Sequence, residues 1–186
     1  MKTRKIVLLL FVLWIVSNCV ACGSAQTNNK EEHSQVTESE EIKIVDATDI
    51  LLKVWMEFDA SNLDVMGGHY SDPAMGAPAK YDLSQTVDLV QMYCVPEIQI
   101  AEIDDAATLI DLYNAARFTA SAFHLKNVEN QQNFIEEMQS QMNQNEWHGE
   151  VPEKFLVVGI TDEYVVAVYG REELVTEFEK ILKNFY

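Results

Sequence analysis

Side chains able to do chemistry are few and scattered: four histidines (His33, His69, His124, His148) and three cysteines (Cys19, Cys22, Cys94) among thirty acids in 186 residues. The densest group is Gly67-Gly68-His69-Tyr70-Ser71-Asp72-Pro73, inside the irregular stretch 59–80. Irregular loops of that length tend to be functional or disordered. The two glycines permit left-handed backbone and would carry the His69 imidazole outward. His69, Tyr70 and Asp72 are therefore candidate ligand-binding residues. The competing reading is a surface loop that packs Met66 and Met75 back onto the core. Trp147-His148, just before Gly149, forms the second candidate pair: an indole beside an imidazole in a turn can stack on a ring-shaped ligand, or can simply close the edge of the core.

No catalytic constellation joins them. Cys94, between Tyr93 and Val95, reads as a buried small hydrophobe. A nucleophilic thiol needs a base and a cationic setting to lower its pKa, and its sequence neighbours supply neither. Asp59, Asn62, Asp64 and Asp72 could surround calcium, but not at EF-hand spacing. The phosphate-cradling Gly-x-x-x-x-Gly-Lys loop, the Gly-x-Ser-x-Gly elbow and the His-Glu-x-x-His zinc pair are all missing from the sequence. Accordingly no catalytic residue, metal ligand or cofactor is assigned. A pair of carboxylates for glycoside chemistry stays open, since thirty acids always permit a coincidental pair in space.

At a formal net charge of −17 the chain repels phosphate backbones, which excludes nucleic acid as a partner. It is repelled equally by an anionic membrane face. Yet its first residues are cationic: Lys2, Arg4 and Lys5 precede an apolar run over 6–16. Those eleven residues are too few to cross a hydrocarbon core, which takes about 20, and they read as a secretory signal. Val20-Ala21-Cys22-Gly23-Ser24 then resembles the lipobox of bacterial lipoproteins, with Cys19 where that family usually has Leu. The resemblance implies cleavage before Cys22 and a diacylglyceryl group on its sulfur.

Cleavage there would leave 165 residues. It would take three of the thirteen basic residues and none of the thirty acidic ones, moving the charge from −17 to −20. Two acyl chains suffice for stable anchoring, so the partner expected first is the membrane itself, through Cys22. Cys19 leaves with the signal and Cys22 is capped, so Cys94 has no partner for an internal disulfide.

The segmentation expected is a signal peptide over 1–21, a lipidated cysteine and polar linker over 22–45, and one globular domain over 46–186. His33 lies in that linker and reads as a solvated residue. Asp46 or Asp49 caps a helix carrying Ile50, Leu51, Val54, Trp55 and Phe58. A short helix over 81–91 follows, then a strand over 92–95 stopped by Pro96, and a weaker strand over 98–103. Asp104-Asp105 reads as the acidic start of a helix through Leu109, Ile110, Leu112, Tyr113 and Ala116. A strand over 118–125 leads to a helix from Asn127 with Phe134, Ile135, Met138 and Met142 on one face, closed by Gly149. A hairpin over 155–160 and 164–170 and a helix from Arg171 end the chain. These elements predict an α+β fold: a single domain, with an antiparallel sheet of about four strands and helices on one face.

With the lipobox, the strand, helix, hairpin and helix from Ala120 to Leu182, roughly a third of the chain, resemble a family of small secreted lipoproteins of Gram-positive bacteria, catalogued only as a domain of unknown function. Ala122-Phe123-His124-Leu125-Lys126 and Tyr164-Val165-Val166 carry the likeness. It implies an extracytoplasmic, lipid-anchored α+β protein and brings no reaction with it. The function expected is a non-catalytic module that binds an envelope protein, peptide or glycan. Two alternatives stand beside it: an envelope hydrolase in which His69 and His148 meet in one cleft, and an immunity or inhibitor lipoprotein that intercepts a peptide.

Overall fold

The computed structural model describes residues 43–145, 147 and 149–186. The expected signal peptide, most of the expected linker, Cys22 and His148 lie outside the described residues. Helix α1 (Ala47–Glu57) starts where two carboxylates meet its free N–H groups. Asp46 accepts from the Asp49 N–H at 2.8 Å, and Asp105, distant in sequence, accepts from the Ala47 N–H at 2.8 Å. Acceptors at a helix start satisfy orphan donors and suit the positive end of the dipole.

The next stretch is not a plain loop. It carries three short strands, β1 (Val65–Gly67), β2 (Ala74–Met75) and β3 (Ala79–Lys80), before helix α2 (Thr86–Gln91). Residues 92–95, expected as a strand, make a turn with Cys94 at φ +57°, and Glu97–Glu102, where the weaker strand is expected, is a 3-10 helix. The long strands are β4 (Ile103–Asp111), β5 (Phe118–Leu125), β6 (Lys154–Gly159) and β7 (Tyr164–Gly170). Helices α3 (Gln131–Gln144) and α4 (Glu172–Phe185) complete the fold. Asn127 accepts from the Glu129 N–H and opens a 3-10 turn that leads into α3.

One antiparallel sheet joins all seven strands, in the order β2-β1-β4-β5-β7-β6, with β3 sharing the free side of β4 beside β1. The expected four strands were too few for two reasons: the strands at one edge are two or three residues long, and β4 had been read as a helix. Asp105 does serve a helix start, but that of α1, while Asp104 pairs with His124. The residues after them, Ala106 to Asp111, are buried without interruption. A strand covered on both faces shows no alternation, so its apolar run mimics one turn of a buried helix.

The helices lie on both faces, not on one. Phe118, Ala120 and Ala122 of β5, with Val166 and Val168 of β7, face α1 and α4. Phe58, Phe118 and Phe178 form the centre of that core, with ring centroids 5.2 to 6.1 Å apart. Phe123 and Leu125, with Val165, Ala167 and Tyr169, face the opposite way, onto Phe134, Met138 and Met142 of α3 and Leu89 of α2. The amide-rich face of α3 also has work: Gln139 donates to the Val157 carbonyl and Gln131 to those of Thr161 and Tyr164. The first of those bonds occupies one carbonyl of β6, the edge strand that would otherwise invite another.

Gly67 sits where β1 runs against β3. A Cβ there would collide with the Ala79 backbone nitrogen and the Ala77 carbonyl oxygen. Because both obstacles are main chain, Gly67→Ala is expected to lose about 2–3 kcal/mol, seen as a lower urea midpoint at an unchanged slope.

Candidate functional site

His69 is not carried outward. It is 6% exposed, its ring edge-on to Tyr81 at 6.0 Å and covered by the exposed Tyr70 at 3.9 Å. Thr108 of β4 holds the backbone just before it, accepting from the Gly68 N–H and donating to the Gly68 carbonyl. The Ser71 N–H points at His69 Nδ1 from 3.3 Å, which makes Nδ1 an acceptor and assigns the ring proton to Nε2. Nε2 then donates to Asp88 of α2 at 3.1 Å, and the Ser71 hydroxyl lies 2.7 Å from Nδ1.

Serine, imidazole and carboxylate in that order have the composition of a hydrolytic triad, with the two ring nitrogens exchanged. The parts around them do not follow. An oxyanion hole needs unengaged backbone N–H groups beside the nucleophile. The Ser71 N–H is spent on Nδ1 and the Asp72 N–H on the His69 carbonyl, at 2.9 Å. What the geometry does is fasten loop 68–72 to α2 through a buried ring whose two nitrogens are both satisfied. Tyr70 and Asp72 are exposed on the outside of that clip.

Trp147 belongs to a different place. It lines a cleft of about 510 Å³ at the end of the sheet. Helix α2 contributes its last residue, Gln91, and Met92 after it. The turn between β4 and β5 contributes Tyr113, Asn114, Ala115 and Ala116, and the chain after α3 adds Asn145 and Glu150. Neither His69, Tyr70 nor Asp72 is in this lining. The sequence candidates therefore divide between a clip and a cleft.

The cleft is held from behind. Trp147 packs on Tyr169 at 5.0 Å and Phe155 at 5.9 Å, and the Tyr169 hydroxyl donates to the Met92 carbonyl. Asp111, at the end of β4, accepts from the N–H groups of Tyr113 and Asn114 at 2.9 and 3.0 Å. Arg117 Nη1 lies 3.4 Å from the same buried carboxylate. Asn114 accepts from the Ala116 N–H and donates to Glu150 across the cleft at 2.7 Å. So fixed, the turn presents Tyr113 with 79% of its surface exposed.

Tyr113, Asn114 and Glu150 are not among the sequence candidates: the stretch from Asp104 to Ala116 reads as a helix that carries Tyr113, and nothing in the sequence marks Glu150. The usable signal was Asp111-Leu112-Tyr113-Asn114, whose two polar ends are those of a turn closed by an aspartate. Cys94 is fully buried, with its thiol pushed up from 9.0 to about 12 by burial alone. Asn145 donates weakly to its sulfur at 3.6 Å. Among the described residues no three His, Cys, Asp or Glu side chains gather as metal ligands. No family model, curated protein or solved structure matches the chain.

Two measurements follow from this geometry. His69→Ala is expected to cost about 1–3 kcal/mol in urea unfolding, Asp88→Asn less, and a fluorophosphonate should leave Ser71 unlabelled. Labelling of Ser71 would reinstate a hydrolase. For Cys94 the sign is fixed by burial: above pH 9 the unfolded chain releases a thiol proton that the folded chain keeps until about 12, so stability falls as pH rises. Buried Tyr81, Tyr93 and Tyr169 are also pushed up, so the comparison is with Cys94→Ala. That variant should lose about 1 kcal/mol less than the parent between pH 8 and 10.

Proposed function

We propose that the chain is a lipid-anchored extracytoplasmic lipoprotein of the Gram-positive type, whose globular part is a non-catalytic binding module. The Tyr113–Trp147 cleft is its binding surface. The anchor reading rests on Val20-Ala21-Cys22 after a short apolar run. Among the described residues no helix is long and apolar enough to cross a membrane, so attachment of this part would have to come from elsewhere. A net charge of −17 supplies no electrostatic attraction to anionic lipid, and the two chains of a diacylglyceryl thioether would suffice without it.

The observation that carries the binding reading is an exposed tyrosine and a braced tryptophan on one cleft of small-ligand size. A hydrolase has less support, since the Ser71 and Asp72 N–H groups of the Ser71-His69-Asp88 grouping are both already engaged. In the native host the protein should sediment with membranes and stay there in molar salt, with a diacylglycerol-bearing N-terminal Cys22 by mass spectrometry. Cys22→Ser should keep its leader and carry no lipid. An unlipidated native N-terminus would overturn the anchor.

A further inference from the structure

The cleft also indicates what kind of molecule it takes. We infer that it binds a neutral glycan, an inference that rests on the cleft being the binding surface. Three observations select that class.

The first is charge. The described lining holds no lysine or arginine, and its one carboxylate, Glu150, already accepts from Asn114. In a chain of net charge −17, an anionic ligand meets repulsion with no local cation to offset it.

The second is main chain. A peptide recognised by strand addition needs backbone groups free to pair. Here four of the lining carbonyls are engaged internally: Met92 by the Tyr169 hydroxyl, Asn114 by the Arg117 N–H, Ala115 by Thr119 and Asn145 by the Trp147 N–H. With no continuous run of free main chain to pair with, recognition falls mainly to side chains.

The third is the side chains themselves. Aromatic faces carry negative potential and attract the weakly positive C–H faces of a sugar ring. Carboxamides both donate and accept, as sugar hydroxyls do. The Gln91 side chain makes no hydrogen bond to a described residue, and Asn145, also in the lining, uses its side chain only in the weak contact to Cys94. Trp147 and Tyr113 thus supply the platforms, and Gln91 and Asn145 the hydroxyl partners.

The test uses the full chain purified in detergent. It is titrated with cellotetraose, fully N-acetylated chitotetraose and maltotetraose, and separately with tetralysine and inorganic phosphate, read by tryptophan emission and calorimetry. At least one oligosaccharide should bind and shift the emission. Trp147→Ala and Tyr113→Ala should each weaken it roughly ten-fold. Gln91→Ala, at an exposed helix end, should weaken it with an unchanged melting temperature, which separates lost contacts from lost folding. Phosphate should not compete. If none of the three oligosaccharides binds, the inference falls. If tetralysine binds instead and loses affinity in Trp147→Ala, the cleft remains a binding surface but not for glycans. If no probe binds and Trp147→Ala and Gln91→Ala leave the emission response to every probe unaltered, the binding-surface reading falls with it.

Discussion

A sheet covered on both faces has no solvent side, and most of this molecule follows from that constraint. Each residue of β5 and β7 must be apolar or small, or must satisfy its own polar group within reach. Ala120, Ala122, Val165, Val166, Ala167 and Val168 meet the first condition with almost no exposed surface. The buried hydroxyls meet the second by bonding to main chain. Thr108 takes both the N–H and the carbonyl of Gly68, Thr119 donates to the Ala115 carbonyl at 2.9 Å, and Ser121 reaches the Ala167 carbonyl at a long 3.5 Å. An unpaired hydroxyl at such depth costs about as much as a hydrogen bond contributes, so these partners are not optional. Two of them also position the candidate regions: Thr108 holds the chain entering the His69 clip, and Thr119 braces the turn that displays Tyr113.

The same constraint explains where sequence reading succeeded. Strand β5, the β6–β7 hairpin and α4 were legible because long apolar runs bounded by turns, and one amphipathic stripe, have few alternative interpretations. Helix α1 was legible from its aspartate cap. Strand β4 was not, since double burial erased the alternation that marks a strand and two acids imitated a helix start. One of those acids, Asp105, bonds α1 and pairs with Lys80 at 2.9 Å, a partnership only the tertiary fold creates. The short strands β1 to β3 carried no periodic signal at all, because two or three residues are below the length at which period can be read.

The candidate site was legible by half. Trp147 was found by residue type, but Tyr113 was lost with the helix reading of its segment. His69 was misjudged for a physical reason. Glycines do license unusual backbone, and Gly68 uses that freedom at φ +76°, but here the turn folds the imidazole inward onto Asp88 rather than outward. A histidine with a serine two residues on and a carboxylate from another element is better spent satisfying its own nitrogens than waiting for a substrate. The exchanged ring nitrogens, the cover of Tyr70 and the engaged Ser71 and Asp72 N–H groups separate that outcome from a catalytic one.

An exposed binding face carries a general hazard, since a surface prepared for one partner can accept another copy of itself. The edges of this sheet oppose that. One ends in strands of two or three residues, too short to template a neighbour, and the other has its Val157 carbonyl taken by Gln139 of α3. The thirty acids add long-range repulsion between copies. The proposed side-chain cleft is compatible with these restrictions. It would need no strand pairing, its Trp147 ring is already packed against Tyr169 and Phe155, and an uncharged ligand would approach it without crossing the repulsion that keeps the copies apart.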